Sequence, residues 1–152
     1  MADWKQLHPA IVEIARKLPD NAYLSIRNEA CLMQFAHVRG TDGPVLRAEV
    51  CRDLPEDEPR LRNNGWELVD SWSGLWRRDT PSVSDEAAVD ALVMEAINAL
   101  RLSFGIRQPE GFTYLSWQEA PPKAGWQFWK SGGDKDLTWE GLGLPKGKDK
   151  AD

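Results

Sequence analysis

Two histidines, two cysteines and one run of carboxylates are the residues of this 152-residue chain whose types could carry chemistry. His8 and His37 fall on different predicted elements, and neither has a carboxylate or serine at a spacing that implies a proton relay. His37, at a strand end, reads as a surface or interface residue. Asp53, Glu56, Asp57 and Glu58 lie in a loop from Cys51 to Pro59. Two prolines interrupt the regular alternation of oxygens that calcium needs, so a solvated turn is expected. The glycines of Gly141-Leu142-Gly143-Leu144-Pro145-Lys146-Gly147 have neither a strand before them nor a helix after them, as a phosphate cradle requires. Cys31 would need an electropositive neighbour to act as a nucleophile, and the sequence identifies none. No catalytic residue, metal or cofactor is expected, and the chain reads as non-enzymatic.

The cysteines carry one geometric inference. An antiparallel register that pairs 35 with 47 also sets Cys31 opposite Cys51 on one face. That arrangement is either a redox-sensitive pair or two small apolar residues in a reducing compartment, and reduced thiols are expected.

The elements that must position these residues are organised around the run 84–105. Val89, Leu92, Val93, Ala96, Leu100 and Phe104 recur at three- and four-residue steps, the stripe of an α-helix. Ser84 suits the N-cap, Asp85 and Glu86 complement the helix dipole, and Gly105 supplies a left-handed stop. A helix from about Asp85 to Phe104 is roughly 30 Å long at 1.5 Å per residue. A first helix is expected over Asp3–Leu18, beginning near His8 or kinked there, because Pro9 breaks an interior hydrogen bond.

Between these helices the period changes to two. Ala22–Arg27, Cys31–Val38 and Val45–Cys51 read as an antiparallel three-stranded meander joined by short turns. Ala22, Leu24 and Ile26 share one face. Even positions from Leu32 to Val50 are assigned to the helices, and odd positions, including Met33, Phe35 and Val45, to the opposite face. Residues 59–64 suit one or two helical turns closed by Gly65, 66–69 and 75–78 are extended, and 112–117 adds a further strand. The fold class is therefore α+β: an antiparallel sheet covered on one face by an N-terminal helix and a long C-terminal helix. Residues 1–117 form one domain. Residues 118–152 form a tryptophan-bearing tail, either free or laid over the domain as a strap by Trp126, Phe128, Trp129 and Trp139.

Composition excludes several partners. The 19 basic and 24 acidic residues leave a net charge of −5, so no basic face for nucleic acid is implied. No stretch approaches the roughly 18 apolar residues of a membrane span, and the N-terminus lacks a signal pattern, so a cytoplasmic location without membrane contact is expected. Eight tryptophans are a surplus, some filling the core and others offering an aromatic contact surface.

Ala22-Tyr23-Leu24, Gln34-Phe35-Ala36, Leu46-Arg47-Ala48-Glu49-Val50, Leu61 with Gly65-Trp66, Trp76-Arg77-Arg78, and Phe104-Gly105 followed by Pro109 stand in an order and spacing that resembles the actinobacterial TY-Chap group. Its domains are grouped with type III secretion chaperones and YbjN proteins. The likeness covers most of residues 4–116. It departs from the pattern at Asn64, at Glu67-Leu68-Val69 and in the tail. The resemblance implies a chaperone-like fold whose sheet edge or apolar face takes an extended polypeptide.

The expected function is non-enzymatic peptide or protein binding through an apolar sheet face carrying Tyr23, Met33, Phe35, Val45, Trp72 and Trp76. The alternative is a structural or regulatory homodimer in which that face is the interface.

Overall fold

The computed structural model describes residues 3–51, 58–70, 72–81, 85–120 and 134–147. Helix α1, Trp4–Lys17, starts one residue after Asp3, whose carboxylate accepts from the Gln6 amide at 2.7 Å while the Gln6 side chain accepts from the Asp3 amide. This capping box fixes the start upstream of Pro9, and the helix runs through the proline rather than beginning near His8.

Strands β1 (Ala22–Arg27), β2 (Leu32–Gly40) and β3 (Gly43–Cys51) form the expected meander. Helix α2, Glu58–Asn63, precedes β4 (Glu67–Asp70) and β5 (Leu75–Thr80), and β5 pairs with β3. Helix α3, Glu86–Asn98, follows, with the Asp85 carboxylate accepting from the Ala87 and Ala88 amides. The cap is thus Asp85, and Ser84 lies outside the described residues. The stripe continues through a π-helical turn, Ala99–Ser103, and the chain leaves it at Gly105 with φ +74°. Strand β6 (Thr113–Gln118) pairs with β1, and the two-residue β7 (Lys135–Asp136) pairs with β6. The spatial order is β4-β5-β3-β2-β1-β6-β7, antiparallel throughout.

The register settles which residues share a face. Leu24 lies opposite Phe35, Phe35 opposite Ala48, and Ala48 opposite Arg78. The first two partnerships join an odd residue of β2 to even residues of β1 and β3. The cause is loop length: β2 and β3 meet at Gly40 and Gly43 around two residues, and β1 and β2 meet at Arg27 and Leu32 around four. An even loop makes partners of opposite parity, whereas a register pairing 35 with 47 needs an odd one. A slip of one residue turns a strand over. The even-face assignment therefore holds for β3 and is reversed for β2.

The proposed cysteine pair fails for the same reason. Cys51 stands opposite Leu32, while Cys31 is buried in the core.

One hydrophobic cluster joins Leu7, Ile11 and Ile14 of α1 and Leu92, Val93 and Ala96 of α3 to Leu24, Met33, Phe35, Ala48 and Val50 of the sheet. Phe35 and Met33 are fully buried in it and Trp76 nearly so. These three, expected on a partner-binding face, instead hold the core. Arg62 sits over the Trp76 ring at 5.1 Å from its centroid.

Candidate peptide-binding face

Strand alternation places Tyr23, Ser25, Leu32, Gln34, Ala36, Val38, Val45, Arg47 and Glu49 on the sheet face opposite the core. Among the described residues, every buried apolar side chain of α1, α2 and α3 belongs to the core cluster. Ala36 and Leu115 are buried yet stand outside it, which identifies them with this second face.

Two cross-strand rows define the face. One runs Trp117, Tyr23, Ala36, Arg47, Asp79 from β6 to β5, and the next runs Leu115, Ser25, Gln34, Glu49, Arg77. In the first row the Tyr23 and Trp117 rings stack with centroids 5.1 Å apart and planes 13° from parallel. Such a pair contributes about 0.5–1.5 kcal/mol beyond its area burial and leaves a broad apolar plate. Burial holds the Tyr23 hydroxyl above its ordinary titration range, and the nearby Glu119 carboxylate raises it further. It therefore stays a neutral hydrogen-bonding group.

The far end of both rows is ionic. Arg47 makes a two-point contact with Asp79, at 3.0 and 3.2 Å, and that hydrogen bonding raises the guanidinium above its ordinary value. Arg77 donates to Glu49 at 3.1 and 2.8 Å, and Gln34 donates to the same side chain at 3.4 Å. The charges are paired across strands, so the face has an aromatic end at β1 and β6 and a polar end at β3 and β5.

Of the expected binding residues, Tyr23 and Val45 lie on this face, both half-buried. Met33, Phe35 and Trp76 lie on the other. Trp72 is 95% exposed in the turn between β4 and β5, where its amide donates to the Asp70 carboxylate at 3.0 Å. Sequence reasoning missed Trp117 and Leu115 as members of the face. The signal was present in the alternation of 112–117, but nothing in it shows that β6 lies beside β1.

The histidines are structural. His37 Nδ1 lies 3.1 Å from the Leu18 carbonyl, and His8 Nε2 lies 3.2 Å from the Asp90 carboxylate, tying α1 to α3. Among the described residues no cluster of three or more metal-ligating side chains occurs, and no helix is long and apolar enough to cross a membrane. Of the four acidic-loop positions invoked for calcium, three, Asp53, Glu56 and Asp57, lie outside the described residues.

Residues 1–118 match the family model described as TY-Chap3, T3SS (YopN, CesT) and YbjN peptide-binding chaperone 3. No curated protein and no solved structure matches the chain.

Proposed function

The chain belongs to the TY-Chap3 family of peptide-binding chaperones, and we propose that it binds extended polypeptide across the sheet face opposite its core, without catalysis. The observation that supports this reading is the Tyr23–Trp117 plate at one end of a face that carries Ala36, Val38, Val45 and Leu115 toward two ion pairs. Rings and aliphatic groups accept apolar side chains of many shapes, while the ion pairs and Gln34 offer polar groups to a peptide backbone. Six spacings between seven strands span about 29 Å, the length of roughly eight extended residues.

The test is binding of a carboxymethylated, permanently unfolded polypeptide to the full chain, followed by light scattering and anisotropy. Tyr23→Ala should weaken it about tenfold, since that removes one of two stacked rings. Unchanged affinity in a folded Tyr23→Ala protein would overturn the assignment. Sedimentation of the unliganded chain separates the homodimer alternative: a tight dimer whose affinity falls with the same substitution would assign the face to a second copy.

A further inference from the structure

The outer edge of β6 is already occupied, and by residues beyond the family match. Leu137 donates its amide to the Ser116 carbonyl at 2.9 Å, Tyr114 donates to the Pro145 carbonyl at 3.0 Å, and Gly147 donates to the Tyr114 carbonyl at 2.7 Å. β7 itself is only two residues long, so backbone pairing is a small part of what holds this segment. Side chains supply the rest. Trp139 donates its indole N–H to Ser116 Oγ at 2.8 Å and its backbone amide to the Tyr114 hydroxyl oxygen at 3.0 Å. Leu142 is buried in the core cluster, with Leu137 and Trp139 packed against it. Lys146 closes the segment on itself through Asp136 and Thr138.

We propose that residues 134–147 are an intramolecular stand-in for a client, a strap that occupies the β6 edge until an extended polypeptide of the same chemistry displaces it. This rests on the peptide-binding reading above. The anchors define the class of client: a chain bearing Leu-x-Trp-x-x-Leu, extended where it pairs with β6 and closed by a 3-10 turn like that of Glu140–Leu142, the indole reaching Ser116 and the last leucine entering the core. The strap also borders open space. A surface groove of about 380 Å³, lined by Leu115, Trp117, Asp134, Asp136 and Lys146, runs along the β6–β7 junction. It opens beside the Tyr23–Trp117 plate, so a displacing peptide would border the proposed binding face along β6. Covalent attachment holds the strap at an effective concentration of about millimolar, enough to exclude weak ligands.

The test uses the full chain with a protease site inserted after Gly125, before and after cleavage. A labelled peptide of residues 134–147 should bind the cleaved protein at least about tenfold more tightly than the uncut one, as release of a tethered competitor requires. A peptide selected from a random library on the cleaved protein should show the same gain and be displaced by the 134–147 peptide. Trp139→Phe in the uncut chain keeps an aromatic ring, though a smaller one, and removes the N–H donor, and should raise the affinity of the selected peptide about threefold by weakening a tethered competitor. If selected peptides bind cut and uncut protein equally, the strap inference fails while the peptide-binding reading stands. If no polypeptide binds either form, the reading itself fails and the inference with it.

Discussion

Trp139 donates to Ser116 Oγ at 2.8 Å, and the same oxygen donates onward to the Tyr23 carbonyl at 2.6 Å. One buried hydroxyl therefore joins the C-terminal segment, β6 and β1. Ser116→Ala should cost about 1–3 kcal/mol, because it strips partners from an indole N–H and a backbone carbonyl in a part-buried setting. Urea melts give the total. Hydrogen exchange should show the Leu137 and Gly147 amides losing protection before those of β1.

Phe35→Ala should cost about 3–5 kcal/mol, because the ring is fully buried between sheet and helices. Phe35→Asp should not fold, since it places a charge without a partner in that core. A folded Phe35→Asp protein by circular dichroism would contradict the register.

How far the sequence could be read turns on such positions. The 3.6-residue stripe from Val89 to Phe104 and the alternation of Ala22, Leu24 and Ile26 are local patterns, and both elements form where those patterns place them. The sides of β2 are not local. Leu32, Met33, Gln34, Phe35, Ala36 and Val38 include apolar residues at both parities, so only the two-residue turn after Gly40 decides which parity faces the helices. Trp117 entered the candidate face in the same way, through a pairing of β6 with β1 between segments about ninety positions apart. Composition suggested a strap from tryptophans at 126, 129 and 139. Of these Trp139 packs on the domain, and Trp126, Phe128 and Trp129 lie outside the described residues.

Gly147→Ala should loosen the C-terminal end of the strap while leaving the domain intact. A Cβ there would stand 2.8 Å from Thr113 Oγ1, and the β-branched threonine has little rotameric freedom to retreat. Faster exchange of the Gly147-equivalent and Tyr114 amides, with an unchanged far-ultraviolet spectrum, checks it.

Alkaline titration should report on Tyr23. Burial first, and the Glu119 carboxylate second, raise its folded pKa above the ordinary value. As pH passes about 10 the unfolded state loses this proton first, so the contribution is complete below that value and is lost as pH rises toward the folded pKa. Tyr23→Phe should flatten the fall in urea midpoint above pH 10 relative to the unaltered protein. Parallel curves would contradict the placement of the hydroxyl.

The most direct test of polypeptide binding on the open sheet face is a map of amide and indole NMR shifts in the full chain on adding a carboxymethylated unfolded polypeptide. Binding there should perturb the Trp117 indole N–H and the amides of Tyr23, Gln34 and Arg47. Perturbations confined to the outer helix residues Met94 and Leu102, or to Trp72 alone, would contradict it.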